Sequence, residues 1–233
     1  MSPLNVGEVD ATTPRGTLLK DSTDVTLTDE SRQPTWTQSI STDLRQIFES
    51  GRSLEPRISS SGLVFKAVIQ ACEAAAQGPG LQKLQQSFGG PLEIDVTRRM
   101  PTREVSRLLE AALSVLGLAG SDSEAALEAV GAALFDAVEN TAQGRTLKRG
   151  RDESAQALWP MLVELLQGLV SPGERRLEAV RPRFARVLFK DEPLPIALYV
   201  GCFRRFLYRH GGFELQAQVE TESVHRYDVV LRW

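Results

Sequence analysis

The cations Arg145, Lys148, Arg149 and Arg151 fall within seven positions of the stretch "NTAQGRTLKRGRDES". A cluster of this kind can hold phosphate or an acidic protein segment. No aromatic residue is interleaved for base stacking, and the glycine spacing fits neither GxGxxG nor GxxxxGK(S/T). Nucleic acid is therefore disfavoured, and a nucleotide cradle more so. The plainer reading makes Gly144 the end of a helix in a left-handed turn, with the cations meeting the negative helix pole in solvent. If the stretch has a partner, it is an acidic protein segment, with the chain's own N-terminal arm among the candidates.

Other reactive side chains are few. Cys202 and His210 stand eight residues apart in "YVGCFRRFLYRHGG", about 12 Å along a helix axis, too far for a nucleophile and its base. Only His225 remains as a partner for Cys202, and a buried structural cysteine is the commoner state. The two histidines sit beside charged or turn residues with no second ligand at metal spacing, so neither metal nor cofactor is expected. "KDEP" at 190–193 offers adjacent carboxylates, which read as an acidic turn closing a strand. No GxSxG elbow is present. Nothing in this inventory assembles a reaction, so a non-enzymatic role is expected.

Composition sets the frame around these residues. The chain has 233 residues, 42% of them hydrophobic, and a net charge of −3. Residues 1–35 carry that charge: Glu8, Asp10, Asp21, Asp24, Asp29 and Glu30 face only Arg15, Lys20 and Arg32. With no aromatic residue and many Ser and Thr, this segment is expected to be a disordered acidic arm. No run suits a membrane span or a signal peptide. Cys72 and Cys202 are expected as free thiols in a reducing cytosol.

A single folded domain is expected over 36–233. Trp36, Ile40, Leu44, Ile47 and Phe48 predict a first helix stopping at Gly51. "SLEPRISSSG" reads as a loop, and Leu63, Val64, Ala67, Val68, Ala71 and Cys72 as a second helix ending before "QGPG". A short helix follows in "LQKLQQSFGGP". Pro101, Thr102 and Glu104 open a third long helix, and Ser or Asp at 121–123 caps a fourth, in which Gly131 implies close packing. A further helix runs through Pro160. The period then changes: "RFARVLF" predicts a strand, "LPIALYVGCFRRFLYRHGG" a helix, and "FELQAQVE" and "RYDVVLRW" an alternating hairpin. The fold class predicted is α+β, with a helical layer over 36–180 followed by a strand-helix-strand-strand unit over 181–233 and a small, mainly antiparallel sheet.

The order of "GLVFKAVI", "MPTREVSRLLEAAL", "EAVGAALFDAVENTAQGR" and the closing "YDVVLRW" resembles a family of uncharacterised proteins of roughly 200 residues, a domain of unknown function expanded in myxobacteria. The resemblance covers residues 60–233. It rests on Val64-Phe65, Gly131, Thr141 with Gly144-Arg145, and Tyr227 to Trp233, and implies architecture rather than mechanism. The loop "LKRGRDES" is more basic than that pattern. The plan also looks like that of the haem-nitric-oxide and vinyl-reductase-like sensor domains, which bind apolar ligands between helices and sheet. The Tyr-x-Ser-x-Arg run of the haem group is missing here, as is a clear proximal histidine.

These readings lead to a cytoplasmic regulatory or protein-interaction module with Arg145, Lys148, Arg149 and Arg151 as the partner-binding residues. The alternative is a small-molecule-sensing domain with an apolar pocket between helices and sheet, lined by Phe184, Phe189, Tyr199, Phe203 and Tyr227.

Overall fold

The computed structural model describes residues 39–118, 122–149, 154–223 and 225–233, without the side chains of 39–43, 76–78, 118, 149, 221 and 222. The arm over 1–35, Trp36 and Arg151 lie outside the described residues. The order is α1 (Ser39–Arg52), β1 (Ser59–Ser61), α2 (Gly62–Phe88), β2 (Arg99–Pro101), α3 (Thr102–Leu118), α4 (Ser123–Glu139), α5 (Gly144–Arg149), α6 (Ala155–Leu169), β3 (Glu174–Arg181), β4 (Phe184–Lys190), α7 (Ile196–Arg209), β5 (Gln216–Ser223) and β6 (Arg226–Arg232). The protein is α+β, with a helical layer beside a four-stranded antiparallel sheet ordered β3-β4-β6-β5.

Several local features differ from the sequence reading. Gly51 does not stop α1; it lies in the last turn, where an added Cβ would come within 2.3 Å of Ser106 Oγ on α3. Glycine there lets two helices touch. The "SSS" of the expected loop pairs with "RMP" as a second, two-stranded sheet, β1 with β2. Helix α2 runs without a break across Pro79, yet the rings of Phe65 and Phe88 lie 5.6 Å apart. A straight helix would separate them by about 34 Å. The segment therefore folds back on itself, and Pro79, flanked by glycines, is its bend. Gly89, at φ 74°, ends it and donates its N–H to Gln85 O.

Gly131 and Gly201 form a reciprocal contact between α4 and α7. A Cβ at Gly131 would lie 1.9 Å from Leu198 O, and one at Gly201 would lie 2.1 Å from Glu128 O. The two backbones touch, so neither position tolerates a side chain. Gly144 is also chosen for closeness: its φ is not left-handed, and a Cβ would sit 1.9 Å from Val138 O. Thr141 makes the turn there. Its hydroxyl donates to Val138 O at 2.7 Å and accepts the Gly144 N–H at 2.9 Å, closing α4 and opening α5 together.

Strand β3 lies within a region expected to belong to the helical part, so the sheet begins at Glu174 rather than 181. Its sequence, ERRLEAVR, lacks alternation because the register shifts between Leu177 and Ala179. The hairpin β5-β6 pairs as expected, with Val219 opposite Val229. One face of the sheet, bearing Ala185, Val187, Phe189, Val229 and Leu231, is buried with the core. Among the described residues no helix is long and apolar enough to cross a membrane.

Candidate functional site

Three features on this scaffold bear on function. The first is the helix-sheet interface. Phe189 on β4 meets Tyr199 and Phe203 of α7 at ring separations of 4.9 and 6.3 Å, and Trp159 of α6 meets Phe203 and Phe206 at 5.1 Å each. Trp233, after β6, closes on Trp159 at 5.6 Å. Trp159, Phe189, Tyr199, Phe203 and Phe206 are all at 0% exposure. Of the five residues expected to line a pocket, Phe189, Tyr199 and Phe203 pack ring on ring. Tyr227 pairs across from Phe189 on the same buried face. Phe184 does not join them: it is half-buried and pairs with the exposed Arg181 and Arg232, on the opposite face of the sheet. The space these rings could have enclosed is filled by the rings themselves.

The second feature is a buried ion cluster. Glu192, read from sequence as part of an acidic turn closing a strand, has no exposed surface. Its Oε2 faces Arg175 Nη2 at 2.6 Å; its Oε1 accepts from Tyr199 OH at 2.8 Å and from Leu194 N at 3.2 Å. Arg175 donates through Nε to Tyr199 OH at 3.1 Å and through Nη1 to Val170 O at 3.0 Å. Burial pushes the Tyr199 hydroxyl well above its ordinary value, so it serves as a fixed donor. Burial pushes the Glu192 carboxyl up as well, against the pull of the Arg175 guanidinium. The loop is tied further by Glu192 N donating to His225 O at 3.2 Å and by His225 Nδ1 lying 3.0 Å from Glu192 O. Glu192 thus joins β3 and α7 through its carboxylate and the β5-β6 turn through its backbone. Missing β3 in the sequence concealed Arg175; the apolar flank Pro193-Leu194-Pro195 was the signal that Glu192 points inward.

The thiols do not form a reactive site. Cys72 and Cys202 are free and buried, and burial holds Cys72 at about 11 and pushes Cys202 higher still. A thiol kept protonated is a poor nucleophile, and His225 is engaged at the Glu192 carbonyl. Among the described residues no His, Cys, Asp or Glu group is arranged to hold a metal ion.

The third feature is a cleft of about 230 Å³ in the helical layer. Phe65 and Phe88, brought together by the bend in α2, form its floor; Ile94 and Met100 form its wall, and Glu93, Glu104 and Arg107 its rim. Arg107 is fixed over the Phe88 ring at 5.6 Å, with Nη1 donating to Glu104 at 2.9 Å. The basic stretch lies apart from all three features. Arg145 and Lys148 are exposed on α5, while the Arg149 side chain and Arg151 are outside the description.

The architecture has counterparts among solved structures. An H-NOX protein from K. algicida, in its Fe(II) unliganded form, superposes with a TM-score of 0.57 at 10% identity, covering 74% of this chain and 95% of that one. An H-NOX protein from S. oneidensis in the Fe(II)NO ligation state gives 0.53 at 12%, covering 74% and 99%. An oxygen-binding H-NOX domain related to soluble guanylate cyclases gives 0.55 at 11%, covering 74% and 94%. At such identities the likeness is one of fold. Among curated proteins none matches. Residues 54–233 match the model of a protein family of unknown function, DUF2378, and the chain belongs to that family.

Proposed function

We propose that this domain is a small-molecule sensor of regulatory type, with its ligand held in the Phe65-Phe88-Met100 cleft. The cleft carries the reading: an apolar floor with three charged side chains converging on its rim is the usual composition of a ligand site. Its 230 Å³ falls below the roughly 300 Å³ at which drug-sized ligands begin, which favours a compact apolar molecule with one polar end. The H-NOX proteins of the same architecture, described as Fe(II), NO-ligated and oxygen-bound forms, support a sensing role.

Haem does not fit where the resemblance puts an apolar ligand, between helices and sheet. Five aromatic side chains occupy that interface with no exposed surface. His210 caps α7 with its ring 4.8 Å from that of Phe206, and His225 is bound in the turn before β6. Neither histidine faces an open space between helices and sheet. Cys72 and Cys202, both free and buried, support a reducing, cytoplasmic setting.

The test is a thermal-shift screen of small aromatic and alicyclic compounds on the full chain, with Met100→Trp as the variant that fills the cleft. A compound that raises the Tm of the natural chain and not that of the variant is expected. Hits that raise both equally would place the site elsewhere.

A further inference from the structure

We infer that the ligand of the Phe65-Phe88-Met100 cleft is a compact amine, held as its ammonium ion with Glu93 as the counter-charge. The inference rests on that cleft being the ligand site and adds the chemistry of what it takes.

Of the side chains that line the cleft, only Glu93, Glu104 and Arg107 carry a charge or a strong hydrogen-bonding group. Two of the three, once ionised, can only accept. Arg107 is the single donor, and its terminal nitrogens are already engaged: Nη1 donates to Glu104 at 2.9 Å and Nη2 to Phe88 O at 3.4 Å. Glu104 is shared, with Arg103 Nε lying 3.6 Å from its other oxygen. The neighbouring cations are committed as well, Arg98 to Asp95 at 3.5 Å and Arg99 to Ser59 O and Gly168 O at 2.6 and 3.1 Å. Glu93 stands apart. It is exposed, and among the described residues nothing is bonded to its carboxylate. The uncommitted group at the rim is thus an acceptor with a negative charge, which calls for a ligand end that donates and is positive.

The floor favours the same sign. Ring faces carry the negative lobe of the aromatic quadrupole and attract a cation. The protein already seats one there, since the Arg107 guanidinium lies 5.6 Å from the Phe88 ring centroid. Gly90 leaves the edge of that ring uncovered, where a Cβ would sit 3.1 Å from Phe88 Cε1. A carboxylate in the cleft would meet the ring faces and two glutamates, and would have to draw Arg107 away from Glu104. An alcohol would find the acceptor without the charge.

The test is methyl-labelled methionine NMR of the full chain, titrated with three probes that share a cyclohexyl body: cyclohexylmethylamine, cyclohexylmethanol and cyclohexanecarboxylate. The amine is expected to shift the Met100 methyl resonance at a concentration about fivefold lower than the alcohol, and the carboxylate to bind more weakly than either. Glu93→Gln should bring the amine and the alcohol to within about twofold of each other. Glu214→Gln, an equal loss of charge at an exposed residue before β5, should preserve the preference. An alcohol that binds at Met100 as tightly as the amine, a carboxylate that binds more tightly, or a preference that survives Glu93→Gln would each overturn the inference and leave the cleft as the site. No shift of Met100 with any of the three would overturn the inference and the cleft together.

Discussion

Glu192 is a charge enclosed by its own partners, and it shows how much one side chain can bind together. Tyr199 and the Leu194 amide donate to its Oε1, and the Arg175 guanidinium pairs with its Oε2. Removing one member of such a pair strands the other, at a cost of about 3–5 kcal/mol. Glu192→Ala and Arg175→Ala should each lose stability of that order in urea titrations, whereas the double variant Arg175→Met, Glu192→Leu should lose less than either. A double variant as unstable as the sum of the singles would remove the coupling. Asp228 behaves oppositely with pH. The Arg186 side chain, donating to it through Nε and Nη2 across β4 and β6, holds its carboxyl below the ordinary range. A carboxyl lowered in the folded state contributes stability above the unfolded value of 3.8 and loses it as pH falls through the folded value. Tm measured from neutral pH down to about pH 2 should therefore fall less steeply below pH 4 in Asp228→Asn than in the natural chain. Identical slopes would contradict the shift. Glu192 was visible in the sequence as a carboxylate; its burial was not, because its partner came from a strand that did not alternate.

At the scale of elements, α4 and α7 are held at backbone contact by glycines on both sides. Sequence showed one of the pair: Gly131 interrupts a regular apolar stripe, and the cost of glycine in a helix has to be offset by packing. Gly201 was hidden in a helix whose arginines and cysteine drew the chemical reading. Gly131→Ala should cost at least ~1–3 kcal/mol, since its Cβ would overlap Leu198 O and the helices would have to part. Gly168→Ala on α6, where a Cβ meets nothing within 4 Å, should instead stabilise by ~0.4–1 kcal/mol. Chemical denaturation of the two variants separates close packing from propensity, and equal effects would dismiss the glycine contact. The long helices and the final hairpin were legible because their periods of 3.6 and 2 run uninterrupted. Strand β3 and the two-stranded β1-β2 sheet were not: a bulge breaks the alternation of the first, and three serines carry no apolar pattern. The bend in α2 was legible from "GPG" as a break, and the structure turns that break into the floor of a cleft.

The molecule as a whole combines the architecture of the H-NOX structures with a helix-sheet interface packed ring on ring. The rings of Trp159, Phe189, Tyr199, Phe203 and Phe206 take up the space that the resemblance assigns to a ligand, and the cleft lined by Phe65, Phe88 and Met100 lies in the helical layer. Aromatic residues at 189, 199, 203 and 227 were legible as a group between helices and sheet, and 184 was wrongly counted with them; a sequence does not distinguish rings that line a hollow from rings that fill it. Haem added to the full chain should keep the broad Soret band of free haem, and a stoichiometric shift and sharpening of that band would reopen the interface as a site. The most direct measurement uses the methionines. Met100 lines the cleft and Met161 lies on α6, so methyl-labelled methionine NMR reports on each separately. Titration with a compound found to raise Tm should shift the Met100 methyl resonance and leave that of Met161 in place. A shift at Met161 with Met100 unmoved would contradict the cleft as the sensing site.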